Sequence, residues 1–151
     1  MKAIIACDPS GGIGYKNKLP WDNIQGDLPR FLQLTKGQVI VMGRNTWESL
    51  PKKPLPSRLH FVVSNNEWYL PPGAMCVTNL AHFEHFTNAW LIGGAQLINS
   101  NWDMIDEIHL TRTTAHYACD AFIDLDYVML YFECTLDEQH TDHSYQIWKR
   151  K

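Results

Sequence analysis

Twice in this chain a short apolar run ends in glycine and passes at once into residues of helical character. Val39-Ile40-Val41-Met42 closes on Gly43 and continues as Arg44-Asn45-Thr46, and Trp90-Leu91-Ile92 closes on Gly93-Gly94 and continues as Ala95-Gln96-Leu97. Runs this short, without polar alternation, are the pattern of strands buried on both faces of a parallel sheet. Parallel neighbours cannot be joined by a tight hairpin, so each such strand needs a crossover, usually a helix. Further strand candidates are Ala3 to Cys7, His60 to Ser64, Glu107 to Thr113, Met129 to Leu136 and Tyr145 to Lys149. Helix candidates are Leu28 to Thr35, Thr46 to Leu50, Leu80 to Phe86 and Ala95 to Trp102. Strands and helices alternate through Trp102, after which strands follow alone. The order predicts an α/β fold with a largely parallel sheet, completed by a C-terminal hairpin that adds an antiparallel edge.

A chain of 151 residues fits one domain, residues 1–151, large enough to bury a core without disulfide or metal staples. With 13 Lys and Arg against 16 Asp and Glu, the net charge of -3 argues against partners such as duplex nucleic acid or an anionic membrane. No run approaches the roughly 20 apolar residues of a membrane span, and Lys2 and Asp8 interrupt the start before a signal-peptide core forms. A cytoplasmic protein with reduced thiols is expected, because Cys7, Cys76, Cys119 and Cys134 are scattered and form no C-x-x-C pair. His82-x-x-His85 and His140-x-Asp142-His143 lack the H-E-x-x-H spacing and any cysteine partner, so no metal site is expected. No G-x-S-x-G elbow is present.

Each strand-to-glycine-to-helix junction combines close backbone approach with helix-end N–H groups that favour phosphate. Two junctions suit two parts of a dinucleotide; the other reading is that the glycines only satisfy tight turns. Arg44 adds a cationic fork suited to a phosphate monoester, and Ser64 with Asn65 brings donors to a neighbouring strand end. Gly12-Ile13-Gly14 lacks the third glycine of G-x-G-x-x-G, so an ordinary Rossmann domain is not supported. The connection from Asp8 to Asn23 is long and rich in turn residues, yet carries Ile13, Leu19 and Trp21, the mark of a covering loop with apolar anchors. Asp27, ahead of Leu28, Phe31 and Leu32 at helical spacing, reads on its own as a helix N-cap. On the wall of a cleft it would instead bind a cationic or amidine-like heterocycle.

Taken together, Ile4-Ile5-Ala6, Gly12-Ile13-Gly14, Asn17-Lys18-Leu19-Pro20-Trp21, Asp27-Leu28-Pro29-Arg30-Phe31, Met42 to Leu50, Pro54-Leu55-Pro56-Ser57-Arg58, Ile92-Gly93-Gly94-Ala95-Gln96 and Leu110-Thr111 resemble dihydrofolate reductase. They stand in that family's order and spacing over nearly the whole chain, and His143-Ser144-Tyr145 resembles its last strand. The resemblance implies a three-layer α/β fold: an eight-stranded, mostly parallel mixed sheet, four flanking helices and an antiparallel C-terminal strand. It implies NADPH-dependent reduction of 7,8-dihydrofolate in a monomer, inhibited by antifolates such as methotrexate or trimethoprim.

The same resemblance implies residue roles. Asp27, with Thr111 hydrogen-bonded to it and Trp21 nearby, would form the catalytic set. Ile5, Ala6, Leu28, Phe31, Leu50, Leu55 and Ile92 would enclose the substrate, and Arg58 would pair with its glutamate α-carboxylate. Ala6, Ile13, Gly14, Asn17, Leu19, Trp21 and Ile92 would surround the nicotinamide. Gly43, Asn45, Thr46, Gly93, Gly94, Ala95, Gln96 and Leu97 would hold the pyrophosphate, and Arg44, Ser64 and Asn65 would face the 2′-phosphate. A pyrimidinone reductase of riboflavin synthesis shares fold and cofactor, but the set of Asp27, Phe31 and Arg58 with Leu19-Pro20-Trp21 speaks against it. Departures from the family pattern are Ile98 in place of a tyrosine, Gln96 in place of a basic residue, Cys119 in place of glycine, and Pro29-Arg30 in the first helix.

Overall fold

The computed structural model describes all 151 residues. At its centre is β1 (Lys2–Cys7), whose residues alternate so that Ala3, Ile5 and Cys7 are buried on one face. Parallel neighbours flank it: β6 (Ala89–Gly93) on one side and β7 (Glu107–Thr113) on the other. Beyond β6 lie β3 (Val39–Gly43), β4 (Leu59–Val63) and β5 (Met75–Val77), all parallel. Beyond β7 the hairpin of β9 (Phe132–Gln139) and β10 (His143–Arg150) runs antiparallel, with a bulge between Ile147 and Trp148. The eight-stranded order is β5-β4-β3-β6-β1-β7-β10-β9.

The buried strand β3 shows why there are three layers. Val39 and Val41 point into a large core shared with Ile98, Val128, Leu80 and Phe83. Ile40 and Met42 point the opposite way, into a smaller core with Trp47 and Val62 against which Phe31 packs. The helices α1 (Asp27–Thr35) and α2 (Arg44–Ser49), carrying Phe31 and Trp47, therefore cover one face of the sheet. The other face is covered by α3 (Ala95–Asn99) and α4 (Leu125–Tyr131), carrying Ile98 and Val128. The eight-stranded mixed sheet with four helices agrees with the expected architecture.

The tail of the chain departs from expectation. Strands alone were expected after Trp102, yet Met129, Leu130 and Tyr131 complete α4, and the strand begins only at Phe132. The helix forms because the Asp124 carboxylate caps it, accepting from Tyr127 N at 3.0 Å, and Tyr127 stacks on Trp102 at 5.4 Å. The helix expected from Leu80 to Phe86 is a shorter 3₁₀ turn, Leu80–Phe83, capped by Asn79. That from Ala95 to Trp102 divides into α3 and a separate 3₁₀ turn at Trp102–Met104.

The long connection after β1 is tied down at both ends. The Asp8 carboxylate, 2% exposed, accepts from Ser10 N at 2.9 Å, Gly12 N at 2.8 Å and Tyr117 N at 3.2 Å. Next, β2 (Gly12–Gly14) pairs antiparallel with β8 (Ala121–Phe122), two short strands that escaped sequence reading. Asp120 closes the arrangement, donating from its N to Gly14 O at 2.9 Å and accepting from Lys16 N at 3.0 Å. Trp21 and Ile24 are buried, with Trp21 edge-on to Tyr117 at 5.5 Å.

Candidate active site

Asp27 is the first helical residue of α1, and Gly26, with φ 85°, occupies the N-cap position. The N-cap reading of Asp27 is therefore overturned: its half-buried carboxylate leaves its own helix and accepts from Thr111 Oγ1 at 2.6 Å. Thr111 is 4% exposed, on β7, in register with Ala6 of β1. A buried hydroxyl aimed at a carboxylate fixes one oxygen and leaves the other to a ligand.

Phe31, Leu50, Leu55 and Ile92 come together, half-buried, against Ile40, Met42, Trp47 and Val62. They make an apolar wall between α1 and α2 beside Asp27's helix. Leu28 is 60% exposed and stands apart from this cluster. Ile5 lies elsewhere: strand alternation sends its side chain, 5% exposed, into the larger core on the other face.

Arg58 is held at the C-terminal end of α1. Its Nε donates to Thr35 Oγ1 at 2.9 Å, and its terminal nitrogens donate to the Pro56 and Leu32 carbonyls. One N–H on each terminal nitrogen remains for a planar anion. Thr35, which sequence reading missed, is itself fixed through Oγ1 to Phe31 O at 2.7 Å.

The two glycine junctions meet because β3 and β6 are adjacent and a shift of register after Val41, paired with Leu91, brings Met42 opposite Gly93. A Cβ on Gly43 would lie 3.7 Å from Gly94 N, and one on Gly94 only 3.3 Å from Thr46 Oγ1. Gly93 has φ 146° and the Gly93–Gly94 peptide is cis. Neither α2 nor α3 has a side-chain cap, and Ala95 and Asn45 stand in their first turns. The resulting surface, with Thr46 Oγ1 at its centre, is a cradle that side chains would fill, and it fits a pyrophosphate.

Arg44 is exposed beside this cradle, its Nε donating to Glu48 Oε1 at 2.9 Å and its guanidinium lying 4.0 Å over the Tyr69 ring. Tyr69 in turn donates to Glu48 at 3.2 Å, and hydrogen bonding from Arg44 holds the Glu48 carboxyl below its ordinary pKa. Glu48 and Tyr69 were not singled out in the sequence, although the i,i+4 spacing of Arg44 and Glu48 was a usable signal. Ser64 follows β4 and accepts from Asn66 N at 3.2 Å, while Asn65 and Gln96 are exposed. Of the loop residues, Ile13 and also Leu97 of α3 pack on the larger core, Gly14 pairs with Ala121, and Trp21 is buried. Asn17 and Leu19 sit at an exposed turn, Asn17 with φ 63° and Leu19 64% exposed.

A buried polar group behind Asp27 also went unread. His109 bonds Tyr145 OH through Nδ1 and Glu107 through Nε2 at 2.7 Å, and the Arg30 guanidinium lies 4.0 Å over the Tyr145 ring. Burial lowers the His109 pKa despite the Glu107 hydrogen bond, and raises that of Tyr145. Pairing of Tyr145 with Thr111 across β10 and β7 makes this group the immediate neighbour of the Asp27 contact.

A family model for dihydrofolate reductase matches residues 1–149. The dihydrofolate reductase type 8 of Escherichia coli is 36% identical over 163 aligned residues, covering 100% of this chain and 96% of the relative. The dihydrofolate reductase of Neisseria gonorrhoeae is 36% identical over 123 residues, covering 79% of this chain and 75% of that one. Among solved structures, dihydrofolate reductase from Enterococcus faecalis complexed with NADP(H) and RAB-propyl superimposes with a TM-score of 0.84 at 26% identity, covering 99% of this chain and 95% of that one. The chain belongs to the dihydrofolate reductase family of NADPH-dependent oxidoreductases.

Proposed function

We propose that residues 1–151 act as one domain that reduces 7,8-dihydrofolate to 5,6,7,8-tetrahydrofolate, in support of one-carbon metabolism and thymidylate synthesis. The observation that carries this reading is the half-buried Asp27 carboxylate held by Thr111 on the wall of an apolar cleft. NADPH, when bound, supplies the hydride. The chain's own part is to orient two ligands, exclude water and polarise the ring.

Asp27 binds the amidine-like edge of the pterin through its free oxygen and holds the ring against the wall of Phe31, Leu50 and Ile92. Leu55 meets the benzoyl group and Arg58 grips the α-carboxylate with its remaining N–H groups. The Gly43, Thr46, Gly93, Gly94 and Ala95 surface takes the pyrophosphate, with Asn45, Gln96 and Leu97 at its rim. Arg44, Ser64 and Asn65 take the 2′-phosphate; for Arg44 this means exchanging its contact with Glu48 for the ligand. Trp21 anchors the covering loop, and Ile13, Gly14, Asn17 and Leu19 close over the nicotinamide. No acidic side chain other than Asp27 is assigned to the pterin, so the proton at N5 arrives through water. Methotrexate and trimethoprim, cationic diamino heterocycles, compete by pairing with Asp27 more strongly than the neutral pterin does.

The test is oxidation of NADPH by the purified chain with and without dihydrofolate, and with methotrexate added. Substrate-dependent, methotrexate-sensitive oxidation is expected. Tight binding of both ligands without oxidation would reduce the chain to a folate-binding protein.

A further inference from the structure

Pro54 and Pro56 have no backbone N–H, so Leu55 carries the one main-chain donor of the Pro-Leu-Pro segment. That donor goes to a side chain: Leu55 N donates to His60 Nε2 at 3.1 Å. His60 is 2% exposed, stands second in β4 and packs edge-on to Trp47 at 5.8 Å. A ring nitrogen that accepts a main-chain N–H must be unprotonated, which selects the neutral imidazole with its proton on Nδ1. Burial lowers the His60 pKa more than the Arg58 backbone raises it, and so favours this form. Nδ1 itself is buried with the Arg58 backbone near it but no acceptor in good hydrogen-bond geometry. An apolar side chain would fill the same space without that penalty. What distinguishes the histidine is the acceptor it offers to Leu55.

The segment so held carries two groups assigned above to the substrate's tail. The Leu55 side chain lies against the smaller core, and the Pro56 carbonyl is one of three acceptors that fix the Arg58 guanidinium. Loss of the Leu55 anchor would therefore loosen Pro56 and, through it, Arg58. We infer that His60 is a positioning residue for the folate tail: by accepting the Leu55 N–H it holds the Pro54 to Arg58 segment in the conformation that presents Leu55 and Arg58 to the benzoylglutamate. The inference rests on the tail-binding reading of Leu55 and Arg58.

Steady-state kinetics with dihydrofolate and with a dihydropterin lacking the benzoylglutamate tail test it in three variants. His60→Phe keeps the ring's volume but removes the acceptor, and should raise KM for dihydrofolate about tenfold, the size of one lost buried hydrogen bond. Its kcat, its KM for the tail-less substrate and its NADPH affinity should match the parent. His60→Gln offers an amide oxygen to the same N–H and should restore KM. Arg58→Leu should raise KM for dihydrofolate alone. Discrimination lost in Arg58→Leu but not in His60→Phe, or a KM that rises equally for both substrates in His60→Phe, overturns the role of His60. An Arg58→Leu variant that treats both substrates alike places the failure in the tail reading instead. The unaltered protein supplies an independent measurement: a scalar coupling across the hydrogen bond between Leu55 N and His60 Nε2 is expected by NMR, and its absence overturns the inference even if His60→Phe does not fold.

Discussion

Asp27 and Thr111 work as a unit. A carboxylate with one oxygen fixed at 2.6 Å by a buried hydroxyl cannot rotate freely, so its second oxygen is held in one orientation for the proposed pterin contact. Asp27→Asn keeps the shape and removes the charge. Turnover at neutral pH should fall on the order of a hundredfold or more, the range of a lost acid–base group, and the pH–rate profile should change form. Parent-like turnover would take Asp27 out of the mechanism. Thr111→Val removes only the orienting bond, about 1.5–3 kcal/mol for a hydrogen bond to a charged group. Its kcat/KM for dihydrofolate should drop about tenfold or more while NADPH binding, followed by fluorescence, is unchanged. The contact of Asp27 with Thr111 was implied by the resemblance, whereas the local context of Asp27 alone favoured a cap. The difference lay in Gly26, whose left-handed φ of 85° lets it start the helix and releases Asp27 for Thr111.

At the scale of elements, the long loop after β1 depends on the pairing of β2 with β8, and the point of closest approach is Gly12 against Cys119. A Cβ on Gly12 would stand 2.3 Å from Cys119 Sγ and 2.7 Å from Cys119 Cβ. Gly12 cannot move aside without losing its N–H bond to the buried Asp8 carboxylate at 2.8 Å. Gly12→Ala should therefore destabilise the fold by about 1–3 kcal/mol, the usual range for overpacking, and lower kcat/KM by loosening the loop. Adding Cys119→Gly removes both clashing atoms and should recover most of the loss in a thermal unfolding scan. A double variant no more stable than Gly12→Ala alone would locate the strain elsewhere. The pairing was not legible beforehand, because strands of three and two residues carry too little periodicity to register. The long β3 and β7 were read nearly to the residue, since each carries its own pattern. The helix α4 was missed because its sequence is apolar on several sides and only Val128 of it is buried, which gives no clean stripe.

For the whole molecule, two buried histidines contribute to the response to acid. Burial lowers the pKa of His60, and burial likewise lowers that of His109 against the opposing Glu107 contact, while Lys2 and Lys149 add to the lowering. The unfolded chain takes up protons at the ordinary imidazole value of 6.5, before the folded chain does. Stability is therefore full above that pH and declines as pH falls through the lowered folded values. Asp142 and Glu48, held low by hydrogen bonds from His143 and Arg44, act in the same direction at still lower pH. The melting temperature should be lower at about pH 5 than at about pH 7.5, and His109→Gln should flatten the slope between them. An equal slope in that variant would remove His109 as a source.

The sequence by itself determined the parallel strands, the glycines that close β3 and β6, and the order in which strands and crossovers follow, because each is written in residues next to one another along the chain. Only the tertiary structure decided that Asp8 reaches Tyr117, that Leu55 finds His60, and that the Ile5 side chain turns away from the cleft. Such contacts depend on which face a strand residue takes and on which distant segment lies beside it. Both are settled by burial and hydrogen-bond satisfaction across the assembled sheet, where no local pattern can express them.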